Sequence, residues 1–343
     1  MRHLDLVTAG ERVRVACAPQ WLAPILAEGA DLVAGGADAA GDDPSLLVTV
    51  QEERAPFDRR GFLPLTRGAW VRDGALLATD VCGAGFDLHL QVEAGAAPGE
   101  TRAEFTLRWR PDAAGRAAHR LLRSRFHLLA RAVLLQYPAL WWAGVHGRVP
   151  MHAAVGTAGA ATVLLAGPGG VGKTTLLRRE LAAGGTAISD NVSVTDGVTA
   201  WGLVEPMRAS GLGGRRMPHG RGEAPLPRRV ASLRPDRVVV LRRGDGEAPL
   251  VRPCSPAAAA RALTSGTYIA GELRRYWPYA ALLAAATGRG PAHPPVAETA
   301  AKLALQLPCT EIVLARAPGA HLADLLAAAP SARPAPGSTR TCT

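Results

Sequence analysis

Apolar and polar positions divide the chain into two styles of patterning. In the first hundred residues the dominant rhythm is a period of two. Arg12–Cys17 alternates Val13, Val15 and Cys17 with arginines, as a half-buried strand does. Leu46–Gln51, Gly74–Ala78, Phe86–Val92 and Ala103–Trp109 read as further strands between Gly-, Pro- and Asp-bearing turns, with a short helix over Trp21–Glu28. Pro111-Asp112 punctuates the chain, and the period then becomes helical from Ala113 to Gln136. There Leu121, Leu122, Phe126, Leu129, Val133 and Leu134 make one predicted apolar face.

From Val149 onward, strands and helices interleave. Val149–Val155 and Thr162–Gly167 are short apolar runs around a Gly156–Gly159 turn. A helix is predicted from Gly172 to Ala183, stopped by Gly184-Gly185. Thr186–Ser189 is the next strand, and Val192–Thr195 with Thr199–Leu203 reads as a hairpin. Residues 209–230 read as a long loop. Arg237–Leu241 and Pro308–Ala315 are strands, while Pro256–Leu263, Leu273–Ala286 and Ala320–Ala328 are helices. The pattern predicts a β-rich N-terminal domain (1–112), a connecting helix (113–148), an α/β domain (149–329) and a disordered Pro/Ser/Gly/Thr-rich tail (330–343).

Composition narrows the picture a little. At 343 residues and 48% hydrophobic, the chain has ample core for two domains. Thirty-nine Lys and Arg against 29 Asp and Glu give a formal charge of +10, which favours anionic partners such as nucleotides or acidic peptides. No basic stripe interleaved with aromatics accompanies the charge, so nucleic acid is not an expected partner. The five cysteines, Cys17, Cys82, Cys254, Cys309 and Cys342, are scattered and odd in number, as in a reduced protein with neither a disulfide framework nor a zinc site. Met1–Val7 has no apolar leader core, and Leu128–Val145 is interrupted by Arg131, Gln136 and Pro138. No membrane association is expected, and a cytoplasmic location is. The oligomeric state is left open, a homo-oligomer included.

The chemistry is concentrated in Gly167-Pro168-Gly169-Gly170-Val171-Gly172-Lys173-Thr174, which fits GxxxxGK[ST] at every fixed position. Glycines at Gly167, Gly169, Gly170 and Gly172 let backbone N–H groups turn toward phosphate oxygens, with Val171 between them. Lys173 supplies a point charge for the β- and γ-phosphates, Thr174 a hydroxyl for Mg²⁺, and Thr175 continues into the helix whose N-terminal dipole completes the cradle. A strand before the loop and a helix after it are the context such a loop requires. Asp190 ends the strand that follows the P-loop helix, so its carboxylate is expected in the same pocket, as a Mg²⁺ ligand or a base for an attacking hydroxyl. The alternative is an Asp-Asn turn into Val192–Thr195.

Met151-His152-Ala153-Ala154-Val155, the P-loop and Ala187-Ile188-Ser189-Asp190-Asn191 together resemble the HPr kinase/phosphorylase superfamily. They are most similar to its shorter HPr-kinase-like relatives, some of them encoded with peptide-modification pathways such as that of lasso peptides. His152 precedes Gly167 by 15 residues and Asp190 follows Lys173 by 17, as in that family. The resemblance spans about 149–329. It implies a P-loop kinase domain with a core like that of phosphoenolpyruvate carboxykinase, with Asp190 as general base and His152 near the phosphates. An Arg after a Gly-x-x-x-Pro stretch is common in these relatives, and Arg208 is its counterpart, read here as a cis arginine finger or a surface salt bridge. Glu205 is a candidate second carboxylate. Arg215, Arg216, Arg221, Arg228 and Arg229, with His219, make either an anion-binding lid or a solvated loop.

Three departures qualify the likeness. Gly169 stands where HPr kinases usually carry Ser, Asn191 replaces the second acid of the pair, and residues 209–230 lack the glycine-rich signature of the bifunctional enzymes. Phosphorylation of HPr and the reverse, phosphorolytic reaction are therefore not expected. The expectation is an ATP- and Mg²⁺-dependent kinase whose acceptor is a Ser/Thr-type hydroxyl on a peptide, protein or small molecule, carried by Asp190, His152, Lys173 and Arg208. A nucleotide-binding regulatory or scaffold protein is the alternative. An ATPase or GTPase motor is disfavoured, since no hydrophobic-strand acid pair follows the P-loop.

Overall fold

The period-two rhythm of the N-terminal region becomes one large mixed sheet, with one face buried along β3 and β8 and both faces covered at the start of β6 and β7. The computed structural model describes residues 2–29, 44–95, 101–209, 217–218, 220–316 and 319–328. Its first eight strands are β1 (Arg2–Thr8), β2 (Glu11–Cys17), β3 (Leu46–Gln51), β4 (Leu63–Thr66), β5 (Ala69–Arg72), β6 (Ala75–Val81), β7 (Phe86–Ala94) and β8 (Thr101–Trp109). They lie in the order β1-β2-β3-β8-β7-β6-β5-β4. β2, β3 and β8 run parallel, and the remaining pairings are antiparallel. Burial alternates strictly along β3 and β8, so Leu46, Val48, Val50, Ala103, Phe105 and Leu107 all face the core. A short helix, α1 (Ala23–Ala27), follows β2.

The helix expected over Ala113–Gln136 forms in pieces. It breaks at Leu122 (φ −113°, ψ 51°) into α2 (Ala113–Leu121) and α3 (Arg123–Arg131), then passes through a π turn at Ala132–Gln136 into α4 (Tyr137–Val145). The predicted apolar face holds only from Phe126 onward. Leu121 and Leu122 are 82% and 50% exposed, because the break turns them away from the sheet. α4 is apolar on every side and is buried on every side, with Trp141 and Trp142 at its centre. Among the described residues no helix is long and apolar enough to cross a membrane.

The second half builds smaller sheets. β9 (Val149–Met151), β13 (Ser193–Thr195), β14 (Ala200–Gly202) and β17 (Ser232–Leu233) make a four-stranded sheet in the order β17-β14-β13-β9. β10 (Ala154–Ala158), β11 (Ala161–Ala166), β12 (Ala187–Ser189), β18 (Arg237–Arg243), β19 (Leu250–Pro253) and β20 (Cys309–Leu314) make a six-stranded one, ordered β12-β10-β11-β18-β20-β19. In it β11, β18 and β20 are parallel. These central strands read as unbroken apolar runs because both faces are covered. Val163, Leu165, Val239 and Ile312 pack under α5 (Lys173–Ala182) and α9 (Leu322–Ala327). Leu164, Ala166, Val238 and Val240 pack under α6 (Pro256–Tyr268) and α8 (Val296–Gln306). α7 (Tyr276–Thr287) joins the N-terminal core instead, through Tyr276, Tyr279 and Leu283. The protein is thus mixed α/β with several sheets.

Two expectations need correction here. Val149–Val155 is not one strand but two, β9 and β10, in different sheets. Residues 209–230 are not wholly loop, since β15 (Met207–Ala209) pairs with β16 (Gly222–Ala224). The segments 210–216 and 219, with Arg215, Arg216 and His219, and the tail 330–343 lie outside the described residues.

Candidate functional site

His152, Lys173, Asp190 and Arg208 come together near the edge where β11 delivers the chain to α5. Gly167, Gly170 and Gly172 have φ of 147°, 79° and 127°, conformations that side chains resist. A Cβ at Gly167 would stand 2.9 Å from the Leu241 carbonyl oxygen. The loop thereby folds back on itself, and α5 begins with no side-chain cap at Gly172. The first-turn N–H groups of a helix have no partners within it, so this end is open to an anion.

Lys173 is almost fully buried and folds over the loop. Its Nζ donates to the carbonyls of Gly167 (2.7 Å) and Pro168 (3.3 Å). Burial holds its pKa down to about 8, against the pull of Asp190 and Glu272. His152 lies 3.5 Å away through Nε2, in the two-residue gap between β9 and β10. Its backbone N–H donates to Thr267 Oγ1 and its Nδ1 lies 3.0 Å from the Gly266 carbonyl. A carbonyl only accepts, so Nδ1 carries the proton and Nε2 presents a lone pair toward Lys173. Burial and the neighbouring Lys173 both hold the imidazole pKa down. His152 is thus set up to orient the ammonium; donating to a phosphoryl oxygen from Nε2 would take a second proton.

Asp190 emerges from β12 and is buried. Its Oδ2 accepts from Thr174 Oγ1 (3.0 Å) and from the Arg208 backbone N–H (3.1 Å). Burial pushes its pKa up, and the Arg208 hydrogen bond and charge oppose that. Thr174 and Asp190 therefore place two hard oxygen donors side by side. That suits Mg²⁺, which takes one or two protein ligands and completes its shell with phosphate oxygens and water. Among the described residues no group of three or more His, Cys, Asp or Glu could hold a metal by itself.

Arg208, on β15, is buried and saturated with carboxylates. It pairs with Glu205 and Glu272 and reaches Glu223 at 3.5 Å. Burial works against its charge, but Glu205 and Glu272 more than offset this and it stays protonated. Glu205 also accepts from Asn191 Nδ2 (2.8 Å), and burial lifts its pKa to about 6. Asn191, which stands where the resemblance expects an acid, is therefore the clamp on the acid that does reach this region.

His152, Gly169, Gly170, Thr174, Asp190 and Arg208 line one cavity of about 260 Å³, closed by Arg221 and by Ile269–Glu272. Of the described loop arginines, Arg221 lines it, while Arg228 reaches the Gly184 carbonyl and Arg229 the carbonyls of Leu203 and Glu205. Val171 and Thr175 face a second cavity of similar size, floored by Leu176, Leu314 and Leu325 and rimmed by Arg179, Arg243 and Arg316. Sequence reasoning missed Glu272 and Thr267, which stand far along the chain with no motif around them.

No family model and no curated protein matches the chain.

Proposed function

We propose that the protein is an ATP- and Mg²⁺-dependent phosphotransferase of HPr-kinase-like type, acting on a Ser/Thr-type hydroxyl. The observation that carries this reading is the convergence of His152, Thr174 and Asp190 on one cavity at the uncapped start of α5, with the Lys173 ammonium 3.5 Å from His152. Lys173 and the loop N–H groups hold the terminal phosphates. The apolar cavity beside Val171 and Thr175 takes the nucleoside. Mg²⁺, when bound, neutralises phosphate charge. Thr174 and Asp190 offer it oxygen atoms, and Asp190 also accepts the hydrogen bond of the incoming hydroxyl and orients it. Positioning and charge neutralisation supply most of what phosphoryl transfer needs.

The test offers γ-labelled ATP with Mg²⁺ and a Ser/Thr-containing peptide library. Labelled peptide is expected from the native chain, and none from Lys173→Ala or Asp190→Asn, with Asp190→Asn still binding ATP. Transfer by Asp190→Asn at the native rate overturns the reading. A second reading, a nucleotide-binding regulatory module, is favoured by Arg208, whose guanidinium is held by three carboxylates rather than left for a phosphoryl group. ATP binding with no labelled acceptor would select it.

A further inference from the structure

Arg208 holds its three carboxylates unequally. Nη2 goes to Glu205 and Nε faces Glu223, acids whose side chains are 3% and 4% exposed. Nη1 goes to Glu272, whose side chain is 30% exposed. Of the three acids only Glu272 lines the phosphate cavity, which Arg208 itself lines together with Gly169, Gly170 and Thr174. One side of the guanidinium is thus fixed in the interior. The other ends on an acid that opens to the place proposed for the phosphates.

Glu272 stands on the turn between α6 and α7. Its backbone is held: Ala270 and Leu273 are buried, and the Tyr137 hydroxyl donates to the Glu272 carbonyl (2.8 Å). Its side chain is the part with access to solvent, so it can leave Arg208 by rotation without moving the turn. Burial works against its charge, but Arg208 outweighs this and holds the carboxyl below its usual pKa, so Glu272 is an anion. An anion in this wall repels a triphosphate and takes up an N–H that a phosphoryl oxygen could use. A pocket for a polyanion is served by such a group only if the group gives way.

We infer that Glu272 is a positioning residue that stands in for a γ-phosphoryl oxygen, holding Arg208 Nη1 in the free protein and yielding it to that oxygen when the triphosphate binds. This rests on the nucleotide-binding part of the proposed function. Nη1 keeps a charge-assisted hydrogen bond before and after the exchange, while Glu205 and Glu223 keep the guanidinium aimed. The released carboxylate turns to water, and Arg208 neutralises charge on the γ-phosphoryl group. A nucleoside diphosphate brings no γ-oxygen and leaves Glu272 in place. The hold of three carboxylates on Arg208 is then the resting state of the site.

Calorimetric titration of ATP and of ADP into the full-length chain and into Glu272→Gln tests this. The variant should bind ATP about tenfold more tightly than the native chain, and ADP within about twofold of it. A residue that merely supports the fold would, when replaced, weaken both nucleotides together and lower the unfolding midpoint. Glu272→Ala should show the same selective gain, which keeps the test open if one variant folds poorly. In an Arg208→Gln background, Glu272→Gln should lose most of its effect, because the group it releases is absent. Unchanged or weaker ATP binding by both folded variants, equal tightening of ATP and ADP, or an undiminished gain without Arg208 overturns the inference and leaves the P-loop reading standing. Failure of the native chain and both variants to bind either nucleotide overturns that reading, and this inference with it.

Discussion

Thr174 Oγ1 donates a 3.0 Å hydrogen bond to Asp190 Oδ2, tying the last residue of the P-loop motif to the end of the strand that follows its helix. Both oxygens lie at the same cavity. Thr174→Val keeps the shape and removes the hydroxyl. The free protein is expected to lose about 1 kcal/mol, the usual worth of one hydrogen bond. ATP affinity without Mg²⁺ should change little, while the gain on adding Mg²⁺ should fall by about tenfold, or 1.4 kcal/mol. Titrating ATP with and without Mg²⁺ separates the two effects.

Lys173 sets function against stability. Its folded pKa of about 8 lies below the ordinary 10.5, chiefly through burial. A depressed folded pKa means that stability from this group is full above 10.5 and lost as pH falls through 8. At pH 7 the charged form is penalised by at most about 3 kcal/mol. Lys173→Met should therefore stabilise the free protein by about 1 to 3 kcal/mol at pH 7 in urea unfolding, by less at pH 9.5, and should abolish ATP binding. In the native protein ATP restores the proton, so calorimetry at pH 8.5 in buffers of different ionisation enthalpy should register net proton uptake on binding.

The parts of this site that a reader of the sequence can find are those fixed by local spacing. The P-loop is one contiguous motif, and Asp190 is one helix and one strand beyond it, so both were legible. Glu272 was not, because its place depends on Arg208 reaching it from 64 residues away. The same limit explains the fold. β3 and β8 show the alternation of a half-buried strand, whereas β4 is only four residues long, holds a proline and is exposed along its whole length, its leucines included. The apolar run around His152 reads as a single strand, but the Ala153 N–H turns back to the Met151 carbonyl (2.9 Å), and the chain changes sheets there.

Gly169 and Gly172 are expected to respond in opposite ways to substitution. Gly169 has open space where a Cβ would stand and no positive φ, so Gly169→Ser should leave stability within about 0.5 kcal/mol. At Gly172, φ is 127° and a Cβ would meet Leu314 Cδ1 at 2.9 Å. Gly172→Ala should cost about 1 to 3 kcal/mol and weaken ATP binding by disturbing the start of α5. Thermal unfolding of the two variants side by side tests the contrast, and equal midpoints would contradict it.

A buried ionic chain ties the N-terminal half to this site. Glu28, which follows α1, pairs with Arg131 of α3 (2.7 Å), Arg131 with Glu223 of β16 (2.9 Å), and Glu223 reaches Arg208 (3.5 Å). Arg131 is 1% exposed. Replacing it takes the main cation from Glu223, which is buried and keeps only Arg208 at 3.5 Å, and from Glu28, which keeps His127. Removing one partner of a buried pair is costlier than removing the whole pair. Arg131→Met should destabilise the protein by about 3 to 5 kcal/mol in denaturant unfolding. Adding Glu223→Gln to Arg131→Met should return part of that loss, because the buried charge left with the weaker partner is gone. Glu223→Gln alone should loosen Arg208 more than it harms the fold, and its first readout is weaker nucleotide binding. If Arg131→Met unfolds at the native denaturant midpoint, the chain of charges is not holding the two halves together.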